Sequence, residues 1–475
     1  MAAEGSGEIP ARRRKLGEVI AEKIMEDIEA RGWPVGELIG SEAELIVRYN
    51  VSRATLGEAV RQVERHGVAV MQRGGGRGLV VTSAPAAAVS RSITTYLELC
   101  DVTVGEQYEA WRLIEVRAVE LATGKLSSES CLRLRELARE LAAVADPTQR
   151  HLDAMRLRIA IADATENPVM GLFLRALARV LTMYVRPDLQ DAGLDEAWRA
   201  KSASAMSDLV EAIIAGEVAL AGHLALTALE RRERISQRMG FARPNLNPGR
   251  YQRETPEKRA QVVAMAIADD LKQRNLPAGE KVGEEPELQA RYGASRGVFR
   301  QAIRILETHG LVRTRRGPSG GLFVGVPSPD YTVQSAVAYL NGMQVRLTHI
   351  LAVRVDLLGN LAQLAAQHGS DERKQALAQA CRQYAADDSM ANRRDTIRSM
   401  YDILGASCGN RVLELLAMIL NAFVRQASAA GWPLTKEIEA FLIASVECVI
   451  NGDGALARRN MTNYLASATK HLKPT

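Results

Sequence analysis

The chain has 475 residues, of which 47% are hydrophobic and 25% are charged, and its formal net charge is +5. This length suffices for about three or four domains, and the composition is typical of globular proteins. No run approaches the roughly 18 apolar residues of a membrane span, so the sequence predicts no transmembrane helix. The small net charge excludes a strongly basic chain, but nucleic-acid binding depends on clustered charge on one face and stays open.

The cysteines are scattered and form no CxxC pair, which argues against a disulfide framework or a zinc site. The basic segment Arg12–Lys15 resembles the start of an export signal, but residues 16–31 alternate apolar with charged side chains instead of forming an apolar run. These two observations predict a cytoplasmic protein. The five cysteines are Cys100, Cys131, Cys381, Cys408 and Cys448.

The first structural elements follow this basic segment. Ile20, Ile24 and Ile28 recur at helical spacing, which predicts an amphipathic helix ending before the Gly/Pro-rich stretch 32–36. Ser41 through Glu44 has the pattern of a capping box, which predicts a second helix up to Tyr49.

A third helix is predicted from a cap at Ser52 to about His66, where Gly67 ends it. Two short β-prone runs, 68–70 and 79–81, flank a glycine-rich stretch, which predicts a β-hairpin. Helix, helix, turn, helix and hairpin is the element order of a winged helix-turn-helix.

This unit occurs twice. Residues 21–81 align without a gap with residues 264–324, and 25 of the 61 aligned positions are identical. The offset of 243 residues persists further along the chain, where Asn167 aligns with Asn410. A repeat of this length means two copies of one module in one chain.

The fold class is therefore mainly α, with two winged-helix domains that each precede an all-helical bundle. The segments after each winged helix are rich in Ala, Leu, Arg and Glu at helical spacing. The predicted domains are a basic tail at 1–15, a winged helix at 16–82, a bundle at 90–240, a linker at 241–257, a second winged helix at 258–326 and a second bundle at 329–475.

The residues from Gly40 to Leu45, from Tyr49 to Arg53 and from Arg61 to Val68 resemble the signature of the GntR family. The second copy, from Tyr292 to Val312, is closer still to that signature. With a helical bundle after each copy, the chain resembles the FadR-type subfamily. The resemblance implies a ligand-responsive transcription factor, usually a repressor, that binds a palindromic operator as a dimer. Two units in one chain would then form an intramolecular pseudo-dimer.

The third helix of a winged helix-turn-helix enters the major groove by its N-terminal end. Arg53 and Arg296 follow the caps of these helices and are placed to contact guanine. The family often has a second arginine one turn later, which is Arg300 in the second copy but Gly57 in the first, so we expect unequal DNA readout. The basic segment Arg12–Lys15 is a DNA arm or a solubilising tail. The full set of predicted DNA-contacting residues is Ser52, Arg53, Thr55, Arg61, Arg73, Arg77, Ser295, Arg296, Arg300, Arg304, Arg315 and Arg316.

Many bundles of this subfamily bind a divalent metal through an Asp and three histidines. Counting from Asn167 places Arg158 at the first histidine, and counting from Asn410 places Tyr401 there. Arginine offers no lone pair to a metal, so we predict no metal and no cofactor, unless the alignment slips by one turn toward Asp153, Asp395 or His223.

Arg158 could instead bind an effector carboxylate where the metal would lie, or it is an exposed residue paired with Asp163 or Glu166. In the second bundle Tyr401 and Tyr464 suit an uncharged or aromatic ligand, or they are ordinary core. The full set of predicted effector residues is Arg112, Arg158, Met206, Arg354, Tyr401 and Tyr464.

An enzyme is disfavoured, because the segments outside the winged helices are helical and carry no nucleotide loop or catalytic constellation. The alternative within DNA-binding proteins is an effector-independent one whose bundles are purely structural. The expected partners are double-stranded operator DNA and a small-molecule effector, with no membrane, and the protein is a monomeric pseudo-dimer or a homodimer.

Overall fold

The structure is a computed structural model. It describes residues 16–31, 33–65, 67–72, 78–82, 85–124, 126–183, 196–239, 255–315, 317, 320–387, 389–427 and 435–470. The chain forms two compact units, of which the first comprises Met1–Pro85 with Asn341–Gln344, and the second comprises Ala86–Leu340 with Val345–Thr475.

The first unit holds the first winged helix. Its elements are α1 (Leu16–Ala30), β1 (Leu38–Gly40), α2 (Glu42–Tyr49), α3 (Arg53–Arg65), β2 (Ala69–Met71) and β3 (Leu79–Val81). The capping box at Ser41 is confirmed, because the Ser41 side chain accepts from the Glu44 amide and the Glu44 side chain accepts from the Ser41 amide. The predicted role of Gly67 is also confirmed by its left-handed φ of 71°.

The sheet of this domain has three antiparallel strands in the order β1-β3-β2. The sequence predicted only the hairpin of β2 and β3. The additional strand β1 is three residues long and follows the Gly/Pro-rich break, so it is too short to show an alternating pattern.

The second unit begins with the first bundle. Its helices are α4 (Ala86–Leu99), α5 (Val104–Ala122), α6 (Ser128–Ala143), α7 (Pro147–Asp163), α8 (Pro168–Met183), α9 (Glu196–Ala215) and α10 (Val218–Met239). Buried side chains of α5, α6, α7, α9 and α10 share one apolar core. The helix α4 packs along α8.

The second winged helix follows in the same unit and repeats the architecture of the first. Its elements are α11 (Pro256–Gln273), β4 (Lys281–Gly283), α12 (Glu285–Arg291), α13 (Arg296–Thr308), β5 (Val312–Arg315) and β6 (Gly321–Val324), with strand order β4-β6-β5. Leu99 at the end of α4 is part of the buried core of this domain.

Side-chain contacts repeat at the same spacing of 243 residues. Tyr49 donates to Asp27 at 2.5 Å, and Tyr292 donates to Asp270 at 2.8 Å. Both bonds connect the end of the second helix of a winged helix to its first helix. The duplication therefore preserves the tertiary contacts of the domain as well as its sequence.

The second bundle closes the chain. Its helices are α14 (Asp330–Gly342), α15 (Leu347–His368), α16 (Asp371–Ala386), α17 (Met390–Ser407), α18 (Arg411–Ala427), α19 (Lys436–Ile450) and α20 (Gly454–Lys470). None of the helices in the described part of the chain is both long enough and apolar enough to cross a membrane.

The two bundles contact each other through equivalent residues. Asn167 donates from Nδ2 to the His349 carbonyl at 2.9 Å, and Asn410 donates from Nδ2 to the Glu106 carbonyl at 3.0 Å. Asn410 lies 243 residues after Asn167, and His349 lies 243 residues after Glu106. Each bundle thus presents the same surface to the other, which is the arrangement of an isologous dimer interface.

Candidate DNA-binding surfaces and effector sites

The N-terminal end of α3 presents the first predicted base-contacting residue. The Ser52 hydroxyl accepts from the Thr55 amide at 3.2 Å and caps the helix. The Arg53 side chain is 80% exposed and forms two hydrogen bonds to the Glu42 carboxylate, at 2.9 and 3.0 Å. An exposed ion pair of this kind contributes little to stability, so Arg53 can exchange Glu42 for DNA at little cost.

The equivalent end of α13 differs in detail. Glu285, the counterpart of Glu42, accepts from Arg300 Nε at 2.9 Å and lies 3.6 Å from Arg296 Nε. Both arginines are more than half exposed. Ser295 precedes the helix but makes no side-chain cap bond. The second copy therefore carries two exposed arginines around one carboxylate, where the first copy carries one.

Gly57 occupies the position of Arg300 in the first copy. The site has room for a side chain, because the nearest atom to a Cβ built there is Arg61 Nη1 at 3.5 Å. The helices α3 and α13, which we call the reading helices, begin and end at equivalent residues, so they differ here in side-chain chemistry.

The structure describes only some of the remaining residues that are predicted to contact DNA. Arg61 and Arg304 are exposed on the following turns of α3 and α13. Arg315 is exposed on β5, with its guanidinium 4.3 Å from the Phe323 ring centroid. Arg73, Arg77 and Arg316, together with the basic segment Arg12–Lys15, lie outside the described residues.

The first bundle buries a cluster of charged groups in its core. Arg158 on α7 is 3% exposed and pairs with the equally buried Glu115 on α5. Glu115 also accepts from Trp111 Nε1. Met206 on α9 completes this arrangement, with its Sδ 3.8 Å from Arg158 Nη2. The prediction of an exposed Arg158 paired with Asp163 or Glu166 is wrong, because Asp163 pairs with Arg175 at 2.6 Å and Arg158 points into the core.

A second arginine lies close to this pair. Arg232 on α10 donates to Nδ1 of His151, which must be neutral to accept the bond. Burial, reinforced by Arg232 and Arg158, lowers the pKa of His151 to about 2. Two guanidinium groups therefore face one carboxylate, and the Nε atoms of both arginines are buried without a hydrogen-bond partner among the described residues. Arg112, also predicted to contact effector, pairs with Glu233 at the edge of this cluster.

The second bundle brings its three predicted effector residues together. Arg354 on α15 is buried, donates to Asn421 at 3.2 Å and lies with its guanidinium carbon 4.9 Å from the centre of the Tyr401 ring. Burial, reinforced by Tyr401, raises the pKa of Tyr464 well above its ordinary value. Arg354 and Tyr401 occupy the positions of Trp111 and Arg158 in the first bundle, so the arginine and the aromatic residue have exchanged helices.

The residues at the expected metal positions do not fit a metal. Arg158 forms an ion pair with Glu115, and its guanidinium has no lone pair to donate to a metal. Asp153 is bound by Gln149 and Arg156 at 3.1 and 2.9 Å. In the described part of the chain, no group of three His, Cys, Asp or Glu side chains could hold a metal ion.

Three residues of these sites were not predicted from the sequence. Glu42, Glu115 and Arg232 were not singled out, because an isolated charged residue in a helix does not reveal its partner across the fold. Glu42 and Glu285 could have been found, since both glutamates are retained at the same offset beside the reading helices.

Two exposed reading helices on winged domains, each accompanied by a helical bundle, define a DNA-binding protein of the helix-turn-helix class. The family model of bacterial regulatory proteins, gntR family, matches residues 16–79 and again 259–324, and the FCD domain model matches residues 106–231. The chain therefore contains two DNA-binding domains of the GntR type and one FCD domain. It is a DNA-binding transcriptional regulator with a small-molecule-binding domain, and it is not an enzyme.

Curated relatives carry names of the same kind. An uncharacterized HTH-type transcriptional regulator of Mycobacterium tuberculosis, Rv0494, is 28% identical over 218 residues, which is 44% of this chain and 88% of the relative. The HTH-type transcriptional regulator RmpR of Mycobacterium gastri is 30% identical over 156 residues, which is 32% of this chain and 55% of the relative. A solved GntR structure from Streptococcus agalactiae is 18% identical and covers 46% of this chain and 99% of its own, with a TM-score of 0.33.

Proposed function

We propose that this chain is a single-chain pseudo-dimer that represses transcription by binding one operator with two unequal winged helices. The observation that carries the proposal is the pair of reciprocal bonds made by Asn167 and Asn410 between the bundles. In a symmetric dimer such bonds would be intermolecular. Here the duplication supplies both sides of the contact in one polypeptide, which would act on the chromosome in the cytoplasm.

The unequal reading helices support an operator with two different half-sites. A bidentate arginine–guanine contact is worth about 1–3 kcal/mol of discrimination. The second copy offers Arg296 and Arg300 at the groove, whereas the first offers Arg53 alone. The second winged helix should therefore require a more strictly defined half-site, with the wing arginines and the basic tail adding phosphate contacts.

The effector of the first bundle is proposed to carry a carboxylate. Arg158 and Arg232 leave one positive charge uncompensated by Glu115, and a buried charge of this kind is costly unless it is paired. A carboxylate would supply the missing charge and accept from the free Nε groups. Ligand binding would then change operator affinity by at most its differential affinity for the two arrangements of the DNA-binding domains.

The DNA part of the proposal is tested by selecting genomic fragments with the purified full chain and footprinting the enriched site. One site with two unequal half-sites is the expected result. Perfect palindromes occurring in pairs would contradict the single-chain pseudo-dimer and indicate a true dimer with four reading helices. Genes next to the site nominate carboxylate-bearing metabolites for the second test.

The effector part is tested by carboxylate-dependent release from that DNA. Arg158→Ala alone would leave Glu115 buried and unpaired, which costs several kcal/mol (about 3–5 kcal/mol for a broken buried pair). The matched variant is therefore Arg158→Met with Glu115→Gln, which removes the ion pair as a unit and leaves the net charge of the cluster unchanged. Loss of release in this variant, with DNA binding intact, is expected. Release that persists unchanged in the variant would contradict a carboxylate site at Arg158. A parent chain that no carboxylate releases from DNA would favour effector-independent binding with structural bundles.

A further inference from the structure

The two bundles differ where their first helix meets the rest of the bundle. In the first half α4 packs along α8. In the second half a groove with a volume of about 530 Å³ opens between α14, α17 and α18, which are the counterparts of α4, α7 and α8. A volume of this size is in the range of small-molecule sites, which is roughly 300–1,000 Å³.

The walls of this groove carry an excess of negative charge. Asp330, Asp402 and Glu414 line it together with a single cation, Arg425. None of the three carboxylates forms an ion pair within 4.0 Å with any residue that the structure describes. Burial raises the pKa of Asp402, although Arg425 opposes the shift, and burial likewise raises the pKa of Glu414 against the attraction of Arg373 and Arg411.

The same positions in the first half have the opposite chemistry. The counterparts of the three carboxylates are Ala87, Ile159 and Gly171. Conversely, Gln334, Met418 and Ala422, which line the groove of the second half, correspond to three arginines in the first half: Arg91, Arg175 and Arg179.

The first half thus carries guanidinium groups at these positions, of which Arg91 is exposed and Arg175 is paired with Asp163. Arg179 is partly buried near Arg91 and Glu98, and burial lowers its pKa. The second half has lost these side chains and gained acidic ones. The groove therefore presents carboxylates to a space where the other half of the chain holds cations.

A polar group that lines the groove also lacks a well-aligned hydrogen bond to the protein. Tyr401 lines the groove, is 7% exposed, and its hydroxyl forms no well-aligned hydrogen bond with the described residues, although Tyr464 lies beside it. Asn421 lies next to it on the groove wall. Buried hydroxyls normally have a partner, so Tyr401 points to a ligand with a polar group at this depth.

We propose that the groove between α14 and α18 binds a small organic cation, with an amine or guanidinium group held by Asp402 and Glu414 and an apolar body against Val333, Val337 and Met418. This inference rests on the proposed function, because it assigns a ligand class to the second bundle of the regulator. It also assigns the two bundles ligands of opposite charge.

The groove is connected to the second reading helix. His309 follows the C-terminal end of α13, its carbonyl accepts from the Ser328 amide at 2.9 Å, and its Nδ1 lies 3.4 Å from the Thr332 hydroxyl on α14. A ligand that draws α14 toward α18 would therefore move the attachment of α13.

The test is calorimetric titration of the full chain, without DNA, with three probes of equal carbon number: 1,5-diaminopentane, 1,5-pentanediol and glutarate. Agmatine is added as a guanidinium probe. We expect one diamine or agmatine to bind per chain, with the diol and glutarate binding at least tenfold more weakly at this site. Equal binding of diamine and diol would overturn the proposal.

Two sets of variants locate the site. Asp402→Asn with Glu414→Gln should weaken diamine and agmatine binding at least tenfold, whereas the matched control Asp395→Asn with Glu447→Gln should not. Ala422→Arg restores the arginine of the first half and should block the groove without disturbing the fold. If the cation still binds to both the Asp402→Asn, Glu414→Gln variant and the Ala422→Arg variant, its site lies elsewhere and the assignment is refuted. Because these titrations contain no DNA, failure of the groove is distinguishable from failure of the operator model.

Discussion

At the scale of single residues, the two predicted DNA-binding helices differ in their arginines at one position, which is Gly57 in the first copy and Arg300 in the second. The space beside Gly57 is open apart from the Arg61 guanidinium. The difference is thus not imposed by packing. The sequence alone shows the two residue types, but only the structure shows that Arg300 shares Glu285 with Arg296.

Gly57→Arg should make the first winged helix read DNA like the second. On a palindrome built from two copies of the half-site preferred by the second domain, we expect binding to tighten by about 1–3 kcal/mol, the value of one good arginine–guanine contact. Fluorescence anisotropy with short duplexes measures this change. Gly57→Ala is the control, since it raises helix propensity without adding a base contact, and equal effects of the two substitutions would contradict the prediction.

Glu42 pairs with Arg53 and Glu285 pairs with Arg296 and Arg300. In the proposed complex both glutamates would bring negative charge near the DNA phosphates. Glu42→Gln and Glu285→Gln should therefore tighten operator binding, each by up to about 1 kcal/mol, because the exposed pairs they break are weak. Filter binding at several salt concentrations provides the measurement. Exposed Glu26 on α1 supplies the control substitution Glu26→Gln. Weaker binding by either variant would mean instead that the glutamate orients its arginine for base contact.

At the scale of elements, the helices and the wing hairpin follow from the sequence because each carries a local signal. The capping box at Ser41 and the glycine at 67 mark ends that the structure reproduces. The strands β1 and β4 are each three residues long. They form by pairing with β3 and β6, respectively, so no local sequence pattern predicts them. The partner of Arg158 was missed for a related reason, because Glu115 lies on another helix 43 residues earlier.

His309 connects the reading helix α13 to α14, and its burial makes this junction sensitive to acid. Burial lowers its pKa to about 4 from an ordinary value near 6.5. Between these values the unfolded chain binds the proton and the folded chain does not, so the free energy of unfolding falls as the pH decreases through this window. The shift corresponds to about 3 kcal/mol at about 1.36 kcal/mol per pH unit.

We predict that His309→Gln makes the free energy of unfolding less dependent on pH. Urea denaturation of the parent chain and the variant, compared between about pH 7 and about pH 4, measures the two slopes. His151 contributes a slope of the same sign, because its pKa is also lowered, so the variant should retain part of the dependence. Identical slopes in the two proteins would show that His309 is not buried and neutral in the native state.

At the scale of the whole molecule, the proposed pseudo-dimer would replace a dimer interface by an internal contact between the two bundles. Asn167 and Asn410 each cap a helix through Oδ1 and reach across to the other bundle through Nδ2. A sequence alignment reveals the equivalence of the two asparagines but not the bonds, because those depend on how the two bundles face each other. The contacts surrounding them have diverged, since Asn410 also donates to Glu109 at 2.7 Å.

If the internal contact replaces dimerisation, operator binding should not depend on protein association. Native mass spectrometry of the protein with an operator duplex should then show one 51.8 kDa chain per duplex. The binding isotherm should have a Hill coefficient near 1 down to concentrations at which a conventional homodimer would dissociate, because no subunit equilibrium is coupled to DNA binding. Two chains per duplex, or affinity that declines on dilution of the protein, would contradict the pseudo-dimer. Asn167→Ala with Asn410→Ala weakens the contact between the bundles, so it should lower operator affinity while leaving the 1:1 stoichiometry unchanged, whereas in a true dimer it would convert the complex to free subunits.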